Sequence, residues 1–262
     1  MRISRIGRIL FWAFAVLVFL CTYLPLVIIG AASFNKKQSF AIPSFGDTTL
    51  KWWGRAIENP DAREALFASV KIAFFATAFA LIVGTLAALA LNRTKFFGKT
   101  SLNLFIVLPI SLPGIVTGIA LGASFLNFGF KLGAFTVIIA HATFCIVVIF
   151  NNTFARLHKL GPSLAEASSD LGAGQWRTFR SITFPMISSA LIAGALLAFA
   201  LSFDEIVVTT FTSGATLETL PLWIFKNISR PKQLPIVNVV ATIVILTSIL
   251  PVMLAQKLTA DD

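Results

Sequence analysis

Two neighbouring carboxylates, Asp204 and Glu205, lie near the end of a long apolar run that begins at Met186. On a helix that rises about 1.5 Å per residue, they lie roughly 28 Å from Pro185, in the outer half of a bilayer or at its edge. A carboxylate at the centre of a membrane helix costs about 2.5–3.5 kcal/mol to insert, so such acids face a cavity or a partner. A translocated cation with two or more ammonium groups would supply that partner.

The same two acids also suit a structural role, either in an ion pair or in the solvation of a helix end. Successive residues on a helix point about 100° apart, so we expect only one of the two acids to face a pathway. The sequence alone does not say which one.

A second polar stretch, from Glu166 to Pro185, separates two long apolar runs. Its length suits a short helix, a turn at Gly172 and Gly174, and a second helix. That second helix is expected to begin at Pro185, because a proline at the first helical position lacks only an N–H that would be unpaired anyway. The alternative interpretation is an ordinary amphipathic connector.

Other chemistries find little support in the residues. Gly98-Lys99-Thr100 looks like the end of a phosphate-binding loop, but that motif needs a preceding strand and a glycine where this chain has Arg93. Two His and two Cys fall on no recognisable metal-ligand spacing. No His-Glu-x-x-His or Gly-x-Ser-x-Gly motif occurs. We therefore predict no catalytic residue, no metal and no cofactor in this chain.

The composition is that of a membrane protein. The chain is 57% hydrophobic and 12% charged, whereas a soluble domain is about 45–50% apolar and about a quarter charged. The net charge of +10 would suggest nucleic acid on a soluble protein. Here much of it lies in the tail and the loops beside apolar runs, where it sets topology and contacts anionic lipid instead.

Six apolar runs predict six transmembrane helices within one domain that covers residues 1–262. The first run is longer than the hydrophobic part of a signal peptide and long enough to span a bilayer, so we expect it to be retained. A short interfacial helix is expected at 49–58, with Trp52 and Trp53 at the membrane boundary. The predicted spans are 9–32, 66–91, 102–126, 134–154, 186–209 and 237–257.

Three spans contain unusual residues. Pro109, Pro113 and Gly114 interrupt the third, which predicts a kink near Pro113 inside a bundle or beside a wet cavity. His141 in the fourth is expected to be a hydrogen-bonded packing residue rather than a proton relay. The fifth is rich in small residues, which predicts a place at the centre of the bundle. Its candidate packing face is formed by Ser189, Ala193 and Ala200.

Six spans would place both termini and the Glu166 loop on one side of the membrane. Residues 1–8 and 92–101 each carry three basic residues and no acid, which indicates the cytoplasmic side. The total count of Lys and Arg favours this orientation only slightly, and the assignment depends mainly on the first helix.

The stretch from Glu166 to Pro185 resembles the EAA loop of ABC-importer permeases. That family pattern is Glu-Ala-Ala, three residues, Gly, nine residues, Ile-x-Leu-Pro, and here Ser168 and Phe184 are its two departures. The resemblance implies that the loop, from about Gly161 to Gly174 within residues 155–185, docks into a cleft on an ATPase subunit. The coupling residues it implies are Glu166, Ala167, Ser168, Asp170, Leu171, Gly172 and Gly174.

The resemblance extends over nearly the whole chain. Further stretches are similar to permeases of polyamine importers, and most of all to the second permease of spermidine/putrescine-type systems in the branch called Ydc. It implies an all-α, six-helix, type I ABC-importer permease fold in a bacterial inner membrane. It also implies a second non-identical permease, two ATPases that hold ATP and Mg, and a periplasmic binding protein. The stretches are 108–118, 141–145, 202–208 and 219–223.

Alternatives to polyamine import remain open at this stage. The same machine could import another small solute, such as an amino-acid derivative or a betaine-like cation. A stand-alone secondary transporter is less favoured because no internal repeat is visible, and an intramembrane enzyme would need a catalytic set that the sequence lacks.

Overall fold

The computed structural model describes residues 5–93, 97–160 and 163–260, and it is helical throughout. In these ranges the only β pairing is an isolated bridge between Asn35 and Thr48. The all-α prediction is therefore confirmed. The helices are α1 Arg5–Ala32, α2 Lys51–Glu58, α3 Pro60–Arg93, α4 Lys99–Ser111, α5 Gly114–Asn127, α6 Ala134–Leu160, α7 Ser163–Asp170, α8 Gln175–Thr178, α9 Phe184–Asp204, α10 Val207–Thr212, α11 Leu220–Asn227 and α12 Leu234–Ala260.

Each predicted span corresponds to a helix or to a helix pair. Within the described residues, four continuous helices are long and apolar enough to cross a membrane, namely α1, α3, α6 and the stretch from Gln175 to Asp204. The pair α4 and α5 makes a fifth crossing if it is one span. The sixth predicted span is α12, of which Leu234–Ile249 is an apolar helix of fewer than 18 residues.

The third span is broken rather than kinked. Its two halves, α4 and α5, meet at an angle of 106°. Leu112 between them is extended, with φ −82° and ψ 144°, because the residue before a proline is driven away from the helical region. The sequence therefore placed the interruption correctly at Pro113 but underestimated its size.

The fifth span ends earlier than predicted. We expected a helix to Thr209, but α9 stops at Asp204 and Glu205 is extended with ψ 119°. A new helix, α10, then begins at Val207. Neither proline nor glycine marks this break. The sequence there is rich in β-branched residues, which lose side-chain freedom in a helix and so weaken its continuation.

The described chain divides into two compact units, of which the first comprises residues up to Arg63 and Ile224–Leu250. Its connector after α1 is organised around Asn35, which is 1% exposed. The Asn35 carbonyl accepts a hydrogen bond from Trp52 Nε1 at 2.9 Å, and the ring of Trp53 stacks on Phe34. Trp52 is thus buried inside the connector, at 7% exposure.

The second unit comprises residues Glu64–Trp223 and the end of the chain from Pro251. Its core places α6 between α3 and α9, with Ile149 packed against Ala80 and Ala198. Of the apolar window of α6, 56% is buried, against 22% for the span that contains α9. The prediction that the fifth span lies at the centre is therefore wrong within this unit, because α6 takes that place.

Candidate substrate pathway site

The two helix breaks of the second unit meet at one pocket. Its volume is about 200 Å³, and it brings together the predicted kink residues Pro109 and Gly114 with the predicted acid Glu205. Pro113, the third predicted kink residue, precedes the first residue of α5 and shapes the break without lining the pocket. The lining residues are Pro109, Ile110, Leu112, Gly114, Thr117, Phe144, Leu201, Glu205 and Val208.

The structure separates the two acids that the sequence could not distinguish. Glu205 is half-buried and lines the pocket, whereas Asp204 is exposed at the end of α9 and does not. One oxygen of Glu205, Oε1, accepts a hydrogen bond from the backbone N–H of Val208 at 2.9 Å. Neither carboxylate forms an ion pair with any residue that the structure describes. Of the two acids, Glu205 is therefore the one that faces the pocket.

The backbone around the pocket contributes both negative and positive potential. The last turns of α4 and α9 both contribute to the lining, and a helix C-terminus carries unpaired carbonyls and a partial negative charge. The N-terminus of α10 carries the opposite charge, but the Glu205 carboxylate already caps it. The N-terminus of α5, at Gly114, also carries a partial positive charge, and the Pro113 carbonyl there accepts hydrogen bonds from Val116 and Thr117. Glu205 is the only charged side chain that lines the pocket among the described residues, so a cation suits this pocket better than an anion.

A row of glycines on α5 lets α10 pack closely against that helix beside the pocket. A Cβ on Gly118 would lie 2.8 Å from Cδ2 of Phe211, and a Cβ on Gly122 would lie 2.5 Å from the Phe211 carbonyl oxygen. Gly114, one turn earlier, begins the same row. The sequence analysis missed this feature, although glycines at every fourth position of an apolar helix are a recognised close-packing pattern.

His141 lies behind the pocket and is fully buried. Its Nδ1 is 2.8 Å from Ser202 Oγ, and its Nε2 is 2.9 Å from Thr209 Oγ1. Its ring centroid is 5.4 Å from that of Phe144, which lines the pocket. His141 is thus a hydrogen-bonded packing residue, as expected from the sequence.

The predicted coupling loop is a helix, a tight turn and a second helix. Gly172 has φ +78°, a left-handed conformation that favours glycine. The N–H of Gly172 donates to Ser169 and that of Ala173 to Ser168, which closes the end of α7. Gly161 and Pro162, where the predicted loop begins, lie outside the described residues. All the predicted coupling residues except Ser168 are exposed, namely Glu166, Ala167, Asp170, Leu171, Gly172 and Gly174.

Ser168 has a structural reason to differ from the family's alanine. It is 7% exposed, and its hydroxyl lies 2.9 Å from that of Thr178, which is also buried. The pair joins α7 to α8 across the turn at Gly172. A serine here therefore satisfies a polar group that an alanine would leave buried and unpaired.

Pro185 lies at the start of α9, as predicted, but the chain before it is already helical. Helical structure runs from Gln175 to Asp204, with a π-helical turn at Phe179–Thr183. In that turn the N–H of Phe184 bonds the carbonyl of Phe179, five residues back. Proline has no N–H to donate to the fourth residue before it, and the wider π turn carries the chain past this position.

An open polar groove lies between α6 and α9. Its volume is about 420 Å³, and Asn151, Arg156 and Lys159 line one side while Ser189 and Ala193 line the other. Arg156 Nε donates to the carbonyl of Met186 at 2.9 Å, which fixes the guanidinium in the groove. Two of the three predicted packing residues thus border an unfilled surface, and Ala200 is exposed on the same helix.

Comparison with known proteins decides the family. Residues 80–260, more than half of the chain, match the model of the family described as "Binding-protein-dependent transport system inner membrane component". The chain belongs to this family. Membership confirms a membrane-spanning permease rather than an enzyme, and it implies in general terms a partner permease, ATPases and a binding protein.

The permease is similar to several curated proteins over almost its full length. It is 36% identical to the "Spermidine/putrescine transport system permease protein PotC" of Haemophilus influenzae, over 95% of this chain and 96% of that protein. It is 32% identical to the "Putrescine transport system permease protein PotI" of Escherichia coli strain K12, over 89% of this chain and 85% of that protein.

The fold of the permease is also that of solved ABC transporters. A bacterial ABC transporter involved in the import of the acidic polysaccharide alginate aligns with a TM-score of 0.72 at 20% identity. The alignment covers 100% of this chain and 99% of the other. It confirms the permease fold that the EAA-like loop implied.

Proposed function

We propose that the permease forms half of the translocation pathway for a polyamine such as putrescine or spermidine, and that Glu205 contacts an ammonium group of the passing solute. The observation that carries this proposal is the pocket where two broken helices meet around one carboxylate, which has no ionic partner among the described residues. Half-helix ends and unwound backbone at such junctions are where transporters hold ions and substrates. The names of the PotC and PotI relatives agree with this solute class.

Glu205 suits a transient contact with a cation. Oε1 is held by Val208, so the orientation of the carboxylate is fixed before the solute arrives. A charge-assisted hydrogen bond between the second oxygen and an ammonium group contributes about 1.5–3 kcal/mol. This attraction draws a cation into the pocket without trapping it, because transport needs sites that release as well as bind.

The partners follow from the two surfaces that this chain leaves open. The groove between α6 and α9, with Ser189 and Ala193 on its rim, receives a second, non-identical permease. The exposed coupling loop docks on an ATPase through Glu166 and Leu171, and a periplasmic binding protein delivers the solute. In this arrangement both termini face the cytoplasm of a bacterium, and the chain lies in the inner membrane.

Uptake by the complete importer tests the solute class. Proteoliposomes that contain the permease with its partner permease, ATPases and loaded binding protein should accumulate labelled putrescine or spermidine when ATP is inside. Excess unlabelled polyamine should abolish the signal, whereas an amino-acid derivative or a betaine should not. ATP-driven uptake of one of those other solutes, with no uptake of either polyamine, would contradict the proposal and favour the second solute class.

A further inference from the structure

His141 connects the two helices on either side of the break that carries Glu205. From the middle of α6, its imidazole reaches Ser202 in the last turn of α9 and Thr209 in the first turns of α10. All three side chains are buried, at 0%, 3% and 0% exposure respectively. One residue therefore joins the helix that ends before Glu205 to the helix that begins after it.

Ser202, His141 and Thr209 form a hydrogen-bonded bridge to the Glu205 backbone, and one set of donors and acceptors satisfies all its contacts. Thr209 Oγ1 donates its proton to the backbone carbonyl of Glu205 at 2.8 Å, so toward His141 it can only accept. Nε2 of His141 must then carry the proton. In a neutral imidazole the other nitrogen, Nδ1, is an acceptor, so the Ser202 hydroxyl donates to it. The bridge runs from Ser202 through His141 and Thr209 and ends on the backbone of Glu205.

The bridge and the cap together determine where the Glu205 carboxylate lies. The bridge holds the Glu205 carbonyl through Thr209, while the Val208 N–H holds the carboxylate itself. Phe144, whose ring neighbours that of His141, forms the pocket wall between the bridge and the solute. His141 therefore lies behind the wall, where it can orient Glu205 but not contact a solute.

We propose that His141 is a positioning residue for Glu205, and that it acts as a neutral imidazole whose Nε2–H holds Thr209. This inference rests on the proposed function of Glu205 as a cation contact. It assigns the histidine neither proton transfer nor solute binding. Its consequence is that loss of the bridge weakens solute recognition only through the charge of Glu205.

Conservative replacements of His141 test its hydrogen bond to Thr209 separately from its hydrogen bond to Ser202. A glutamine amide nitrogen can replace Nε2 as the donor to Thr209, whereas an asparagine amide is shorter and can replace only the contact with Ser202. His141→Gln should therefore retain polyamine uptake better than His141→Asn, and His141→Leu should lose the most. For His141→Leu we expect the KM for putrescine to rise about 10- to 100-fold, the loss that a small displacement of a recognition group causes.

Controls distinguish positioning from general packing. Thr153, also on α6, is fully buried and its hydroxyl has no hydrogen-bond partner among the described residues. Thr153→Val should therefore leave the KM unchanged. Thr209→Val is a milder test of the bridge than any histidine variant, because it removes one hydroxyl and keeps the shape, and it should raise the KM in the same way. All rates are normalised to the amount of assembled complex.

The deciding measurement is uptake by the double variant Glu205→Gln with His141→Leu in the complete importer. If His141 acts through the charge of Glu205, the double variant should have the same KM as Glu205→Gln alone. A further rise in the double variant, or an unchanged KM in both His141→Leu and Thr209→Val, overturns the positioning role while Glu205 keeps its own. If Glu205→Gln alone transports normally, the proposed role of Glu205 fails, and the inference about His141 is overturned with it.

Discussion

Gly122→Ala should displace α10 and with it the pocket. The added Cβ would lie 2.5 Å from the Phe211 carbonyl oxygen, whereas ordinary contacts begin at 3.4 Å. The difference of roughly 0.9 Å must come from movement of a helix, because the obstacle is backbone and not a side chain that can rotate. Overpacking of this kind costs about 1–3 kcal/mol, which exceeds the gain of up to about 1 kcal/mol from replacing a helical glycine with alanine.

Two measurements check this prediction on the purified complex. Thermal unfolding should shift to lower temperature, and polyamine uptake should fall because Glu205 begins the turn into α10. Gly30→Ala in α1 is the matched control, since nothing lies within 4 Å of its Cβ, and it should be neutral or slightly stabilising. Unchanged unfolding together with unchanged uptake in Gly122→Ala would refute the close approach of α5 and α10.

Three further predictions concern coupling and assembly. Gly172→Trp should uncouple ATPase stimulation from uptake while the chain still inserts, because the left-handed backbone there is strained for a bulky residue. Gly54→Ala, outside the loop and in open space with ordinary φ, is the control, and normal uptake by Gly172→Trp would disprove the docking role. Ser168→Ala should destabilise the loop by about 1–3 kcal/mol, because it leaves the buried Thr178 hydroxyl unpaired, and adding Thr178→Val should recover part of this in a proteolysis assay; equal protease resistance of all variants would contradict it. The permease without its second permease chain should drive no ATP-dependent uptake, even with ATPase and binding protein present, and uptake by that subset would rule out a heterodimeric pathway.

Of the two helix breaks at the pocket, sequence patterns predicted the one between α4 and α5 but not the one between α9 and α10. Pro113 predicts the break between α4 and α5, because a proline removes a helical hydrogen bond and restricts the residue before it. Nothing equivalent marks Glu205, where β-branched residues weaken the helix, the Glu205 carboxylate caps the next helix, and His141 bonds to both helices. Such a break depends on residues about sixty positions away in the chain, which local patterns do not contain.

The candidate site was also predicted from the sequence only in part. The sequence identified both acids from the cost of charge in an apolar run, but it could not choose between them, since the choice depends on where α9 ends. It also did not predict that Trp52 is buried, because only the folded connector provides the Asn35 carbonyl that its indole binds. The four-residue spacing of Gly118 and Gly122 indicates close helix packing, but the sequence analysis did not use it.

The central claim is that a cation passes the carboxylate of Glu205, and one comparison of uptake tests it most directly. Glu205→Gln keeps the cap on Val208 and the side-chain shape but removes the charge, whereas Asp204→Asn removes the neighbouring charge outside the pocket. In the reconstituted importer, Glu205→Gln should lower kcat/KM for putrescine by about 10- to 150-fold, the equivalent of a charged hydrogen bond. Asp204→Asn should change it less than about twofold, because an exposed charge outside the pocket contributes little. Polyamine uptake by Glu205→Gln at the unmodified rate would contradict the account.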